Sequence, residues 1–266
     1  TFLDKKHVLA FCLATTRARA LFSPTPEAYC ITKRQMSSDS VGLKDIGQQT
    51  DDGSKSADLL SWKHRIDISI GKSRKIRGSN YVQIATADDD GPRCRTVVFR
   101  GFQELPPGHP TAVTCDEMSC VMKMITDNRS NKVSEASEKS AAELVWWFPK
   151  SNEQYRVRGS LIFVGNGQFP LDQDEVLVSA RKQQWGNLRD QAREQFFWET
   201  PGAPYGGIVK VPAGGRDEDG NLIPAPDSFL LMFLIPSRVD YLRLTDNYHQ
   251  IDELVEDKWI MKRVNP

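Results

Sequence analysis

At 266 residues the chain suits one domain of ordinary to large size plus a tail. Lys plus Arg and Asp plus Glu both number 35, so no overall charge draws it toward nucleic acid or an anionic membrane, and any anion site has to be local. No apolar run reaches the roughly 18 residues of a membrane span, and five irregularly spaced cysteines with four scattered histidines form no zinc pattern. Reduced thiols in an intracellular compartment, no metal, no nucleic acid and no membrane partner are the expectation.

Residues 1–56 read as a leader and linker outside the fold. Residues 7–35 carry His7, Arg17, Arg19, Lys33 and Arg34 against the single acid Glu27, and 36–58 is rich in Ser, Asp, Gln and Gly. A basic, acid-poor start followed by a polar linker resembles an organelle transit peptide, for mitochondrion or plastid alike. A weak secretory core at 8–13 or a plain disordered tail in a cytoplasmic protein fits the same residues. The start at Thr1 rather than Met is that of a truncated chain.

The folded domain is expected over 57–266. Leu59, Leu60, Trp62, His64, Ile66, Ile70 and Ile76 have the spacing of one helix face, with a break near Gly71. A strand over 80–86 turns at Asp88-Asp89-Asp90-Gly91-Pro92 into a partner over 95–102. Residues 106–110 read as a loop, 121–126 as a strand, 132–139 as a short helix, 143–148 as a strand and 154–164 as a long one. Helices are expected over 172–184 and 188–197. A Gly/Pro-rich stretch covers 201–226, and closing strands cover 229–235, 239–244 and 258–264. Trp146 and Trp147 fall on opposite faces of their strand, one for the core and one for an interface, and Trp185, Trp198 and Trp259 read as packing residues. Strands joined mostly as hairpins predict a mainly β fold, an antiparallel barrel with flanking helices.

Three strings carry the chemistry. They are Arg95-Thr96-Val97-Val98-Phe99-Arg100, then Ile125-Thr126-Asp127-Asn128-Arg129-Ser130-Asn131-Lys132, then Glu153-Gln154-Tyr155-Arg156-Val157-Arg158-Gly159. Spaced cations, an amide and a fresh helix start are the parts that hold a phosphorylated planar cofactor. In this order the strings resemble the pyridoxamine 5′-phosphate oxidase family, built on the FMN-binding split β-barrel. Glu143-Leu144-Val145-Trp146-Trp147-Phe148-Pro149, Gln195-Phe196-Phe197-Trp198 and Arg263-Val264-Asn265-Pro266 resemble a plant and cyanobacterial oxidase-like subgroup.

The resemblance implies FMN as cofactor and a homodimer with the flavin at its interface. Arg95 and Lys132 are implied for the FMN phosphate, with hydroxyls from Thr126 and Ser130. The backbone of Thr96, Val97 and Val98 is implied along the isoalloxazine edge, leading to Arg100, and Gln154 against the flavin. Asn131 stands where the family usually has Arg, and Arg129 could replace that charge only by turning inward. On the substrate side Arg100, Arg181 and Arg238 are implied for a phosphorylated B6 vitamer. Leu177 occupies the usual tyrosine position, Asp240 that of a histidine, and Met232 that of a tryptophan beside the flavin.

No Ser–His–Asp or Cys–His arrangement is present, and flavin chemistry needs none, so no side chain is assigned as catalytic. The expected activity is oxidation of pyridoxamine or pyridoxine 5′-phosphate to pyridoxal 5′-phosphate with O2 as acceptor. The alternatives are an FMN-dependent reductase of another small substrate and a non-catalytic flavin-binding protein.

Overall fold

The computed structural model describes residues 60–266. The leader, the linker, the boundary at 57 and Leu59 lie outside the described residues. Helix α1 (Trp62–Ser73) begins at Ser61, whose Oγ accepts a hydrogen bond from His64 N at 3.2 Å. Trp62, Ile66, Ser69 and Ser73 recur at helical spacing on its buried face. It runs through Gly71, where the sequence predicts a break, because its buried face stays in register to Ser73.

Strands β1 (Tyr81–Asp88) and β2 (Gly91–Val98) form a hairpin closed by the pair Asp88 and Gly91. Asp88 Oδ1 accepts from the amides of Asp90 and Gly91, both at 3.0 Å, which holds the acidic turn. A two-residue turn at Asp116 and Glu117, both with positive φ, joins the short strands β3 (Thr114–Cys115) and β4 (Met118–Ser119). No hydrophobic alternation announces that hairpin in the sequence. Then follow β5 (Met122–Asp127), α2 (Asn131–Glu138), β6 (Ala141–Phe148) and β7 (Glu153–Val164). Helices α3 (Glu175–Gly186) and α4 (Asp190–Glu194) precede the long β8 (Phe229–Arg243). Strands β9 (Tyr248–Val255) and β10 (Lys258–Val264) end the chain.

Two expectations need correction here. The strands expected at 229–235 and 239–244 are one strand, continuous through Pro236, and β9 is an additional strand. Pro236 is tolerated because β8 changes partners around it. Residues 229–234 pair with β5, and residues 238–243 pair with β9, so the missing amide falls where no ladder needs it. On the other side β7 pairs with β8 from Leu231 to Arg243, with a bulge between Arg158 and Gly159.

The sheet order is β10-β9-β8-β7-β6-β1-β2, with β5 also on β8. Past the end of β2, Arg100 N donates to Lys123 O at 2.8 Å and Lys123 N to Gly101 O at 2.9 Å, which closes the ring on β5. The result is an antiparallel barrel, split where β8 exchanges β5 for β9. Alternation sends Val82, Ile84, Val97, Met122, Met124, Leu144, Trp146, Tyr155 and Val157 inward, and Trp62 and Ile66 of α1 join the same core. Trp146 is buried, while Trp147 turns outward and is 40% exposed. Trp185 and Trp259 pack against core clusters, but Trp198 is 51% exposed and is not a packing residue.

Candidate cofactor site

At one end of the barrel β2 meets the turn between β5 and α2. A cleft of about 490 Å³ opens there, lined by Arg95, Ser130, Asn131, Lys132 and Glu135, with Pro201 and Gly202 across it. Arg95 Nη2 donates to Glu135 Oε2 at 2.7 Å, and Arg95 Nη1 and Glu135 both meet the Thr86 hydroxyl. The guanidinium is therefore set from beneath by a buried acid. Lys132 Nζ donates to Thr126 Oγ1 at 2.9 Å and to Ser130 Oγ at 2.8 Å. Burial, and then the neighbouring Arg95, hold its pKa below the ordinary lysine value, offset in part by Asp127 and Glu135.

Ser130 is the N-cap of α2, but its hydroxyl donates to Asp127 O at 2.7 Å, so no side chain caps the first amides of the helix. Two cations, the Ser130 hydroxyl and an uncapped helix start thus line one cleft, with the Thr126 hydroxyl buried behind Lys132, a donor set that fits a phosphate dianion. Asn131 lines the same cleft without charge. Arg129 does not replace the missing cation: its Nε and Nη2 are held by Asp127 at 3.0 and 2.8 Å, and Nη1 by Trp198 O at 2.8 Å.

From this cleft β2 runs on with strand pairing on the β1 side only, so every second amide and carbonyl from residue 95 to 98 faces away from the sheet. Thr96 and Val98 turn outward and Val97 inward. A one-sided edge of this kind matches the donor and acceptor pattern of a flavin's pyrimidine ring. Arg100 follows, half-buried, and its Nε is buried without a hydrogen-bond partner.

The remaining expected site residues are not gathered here. Gln154 lies on the outer face of β7, opposite Trp147 and Leu242, with β1 and β6 between it and β2. Arg238 is also on the outer face, 3.3 Å from Glu253 Oε1. Arg181 is a correction: it is buried, Nε donates to Phe229 O at 3.0 Å, and Nη2 donates to Phe229 O at 2.8 Å and Pro226 O at 2.9 Å. Backbone carbonyls take its Nε and Nη2, which ties the guanidinium to the start of β8 and away from Arg100 and the cleft. Met232 is fully buried inside the barrel and faces no surface site.

Sequence reasoning did not find Thr86, Glu135 or His249. The hairpin register was a usable signal for the first, since pairing Asp88 with Gly91 puts Thr86 diagonal to Arg95. Glu135 is one helical turn beyond Lys132. His249 Nε2 is 2.8 Å from Asp240 Oδ1 and its Nδ1 is 2.7 Å from Asn265 O, a link between β9, β8 and the chain end with no local signature.

An antiparallel split barrel with a phosphate cradle at the end of a one-sided strand defines an FMN-binding split-barrel protein, and FMN is its cofactor. Residues 59–165 match the family described as pyridoxamine 5′-phosphate oxidase, FMN-binding domain. Over these residues the chain is similar to that family, which includes FMN-dependent oxidoreductases. A pyridoxine/pyridoxamine 5′-phosphate oxidase 2 of Arabidopsis thaliana is 28% identical over 214 residues, 78% of this chain and 98% of the relative. A pyridoxamine 5′-phosphate oxidase-related, FMN-binding protein from Nostoc punctiforme superposes with a TM-score of 0.62 at 28% identity, covering 78% of this chain and 99% of that one. PhzG of Burkholderia lata, at 15% identity and a TM-score of 0.54 over 77% of this chain and 90% of that one, shares the fold. No helix among the described residues is long and apolar enough to cross a membrane.

Proposed function

We propose that the protein is an FMN-dependent oxidase that converts pyridoxamine or pyridoxine 5′-phosphate to pyridoxal 5′-phosphate with O2 as acceptor. The observation that carries this reading is the presence of two separate cationic sites along one strand. Arg95 and Lys132 stand at one end and Arg100 at the other, five residues or roughly 17 Å further on. One site suits the phosphate of the cofactor and the other the phosphate of a substrate. The name of the Arabidopsis relative supports the same substrate class.

When bound, FMN supplies the two-electron acceptor that the protein's own side chains lack. Arg95, Lys132, Ser130 and Thr126 hold its phosphate, and the free edge from Thr96 to Val98 orients the ring. Arg100 binds the anionic end of the substrate, which lays the carbon to be oxidised against that ring. Placement is the main contribution of the chain to the rate. With the amine substrate, water hydrolyses the imine product to the aldehyde and ammonia.

The reading includes a homodimer. Three strand spacings, roughly 14 Å, separate Gln154 from β2, so within one protomer it does not reach a ring on that edge. A second copy docked on the outer face could present Gln154 to it. The exposed Trp147 beside Gln154 and the exposed Tyr81 offer apolar area for such a contact. Sedimentation that gives a monomer with FMN fully bound would sink this part of the reading.

A second reading, a reductase of another small substrate or a non-catalytic flavin-binding protein, draws on Asp240. Its carboxylate lies on the outer face next to His249, on the same strand as Arg238, and would oppose a phosphate there. Adding pyridoxamine 5′-phosphate to the FMN-loaded protein without oxygen separates the readings. Bleaching of the flavin bands, restored by air, is expected of the oxidase. A flavin that stays oxidised transfers the assignment to the second reading.

A further inference from the structure

Arg100 and Lys123 are neighbours across the seam that closes the barrel, joined by the 2.8 Å bond from Arg100 N to Lys123 O. Phe99, Met122 and Met124 point into the core, so alternation turns both cations to the outer face. On that face Ile125 packs against the cluster of Trp185, Leu188, Phe196 and Phe229, which brings the start of α4 to the same surface. Arg189, the residue after Leu188, is exposed there and makes no side-chain hydrogen bond or ion pair among the described residues.

Three cations therefore face one region, and among the described residues none of them is ion-paired or hydrogen-bonded to a carboxylate. Burial holds the pKa of Arg100 below its usual value; Tyr81 opposes that shift and Arg189 adds to it. Burial likewise depresses Lys123, whose Nζ donates to the neutral Gln103 Oε1 at 3.2 Å. Arg100 Nε is buried and without a partner. A buried guanidinium nitrogen without a protein partner, beside two further cations, is a donor set suited to an anion.

We infer that Arg100, Lys123 and Arg189 form one anion subsite for the phosphate monoester of the substrate, and that Arg189 sets its preference for phosphorylated over unphosphorylated rings. The inference rests on the reading that a substrate lies along β2 beyond the flavin. Two guanidinium forks and one ammonium match the oxygens and the double charge of a phosphate better than the single charge of a carboxylate. Arg189 takes the place in the clamp that the family resemblance implies for Arg181.

The test is calorimetric titration of the FMN-loaded full chain with inorganic phosphate, pyridoxal 5′-phosphate and pyridoxal. Arg189→Gln should weaken both phosphate-bearing ligands by about tenfold or more, the loss expected for one charge-assisted contact. Pyridoxal affinity and FMN content should stay as in the wild type, and Arg189→Lys should recover most of the loss. In turnover, KM should rise with little change in kcat. Equal phosphate affinity in Arg189→Gln and wild type, an equal loss for pyridoxal, or no phosphate bound by the wild type would each overturn the subsite. Phosphate binding that depends on Arg189, with pyridoxal 5′-phosphate ignored, would keep the subsite and remove the B6 substrate instead.

Discussion

Lys132 Nζ is hydrogen-bonded to Thr126 Oγ1 at 2.9 Å, so a half-buried ammonium is held by a neutral hydroxyl rather than by a carboxylate. Its charge opposes that of Arg95 and is depressed by burial. Without a phosphate the arrangement is unfavourable, and this gives Lys132→Met an unusual pair of effects. FMN affinity should fall about 10- to 100-fold, while the melting temperature of the FMN-free protein should hold or rise. Fluorescence titration and calorimetry read the two effects separately. A large drop in FMN-free stability would mean that the lysine serves the fold instead.

Arg95 differs because Glu135 is buried against it at 2.7 Å. Arg95→Ala should remove FMN and also destabilise the protein, since it leaves Glu135 and Thr86 without their guanidinium. Adding Glu135→Gln should recover much of the stability and none of the FMN binding. Additive losses in the double variant would contradict the coupling.

Gly159 marks the bulge at which β8 changes partners. A Cβ there would lie 2.0 Å from Ile235 O and 3.0 Å from Pro236 Cα, both backbone atoms of the opposing strand. Gly159→Ala is expected to cost at least about 2 kcal/mol. At Gly71, inside α1, an added Cβ meets nothing within 4 Å. Gly71→Ala should therefore stabilise by roughly 0.5–1 kcal/mol. Urea denaturation of the two variants checks the opposite signs.

Asp252 is fully buried, and burial pushes its carboxyl up to about 6 from 3.8, against the bonds it accepts from Gln250 Nε2 and Trp62 N. A folded-state value above the unfolded one means that the fold favours the protonated form. That contribution is complete below 3.8 and is lost as pH rises through about 6, for roughly 3 kcal/mol at most. Asp252→Asn keeps an acceptor and removes the proton. The stability difference between wild type and variant should therefore change across this interval in the variant's favour as pH rises. A difference flat with pH would acquit Asp252.

Arg181→Met should lower the melting temperature, because the carbonyls of Pro226 and Phe229 lose their donors. The expected cost is about 2–3 kcal/mol. KM for a phosphorylated substrate should not move at permissive temperature. A selective rise in KM would return Arg181 to the substrate site.

Local chemistry made much of the barrel legible in advance. The Asp88–Gly91 turn, the alternation from Arg95 onward and the long apolar-in pattern of β7 each encode their own geometry. Strand β9 was not legible. Its inward residues Tyr248, Gln250 and Asp252 are polar, and they are buried because they bond to one another and to α1. Likewise the single strand β8 reads as two, because Pro236 breaks the pattern that the change of partner accommodates.

The order of the three motif strings by itself carried the family resemblance and the cofactor, and it placed Arg95, Ser130 and Lys132 together, since residue types at fixed spacing on one strand and one helix start fix their relative placement. The two arginines Arg181 and Arg189 were decided only by the tertiary structure. Eight positions apart around neighbouring helices, they look alike as sequence, yet one is bound by backbone carbonyls and the other stands beside Arg100 because the cluster that holds Leu188 packs on Ile125. A long cationic side chain takes its role from what surrounds its end, and those surroundings come from strands more than 40 residues away.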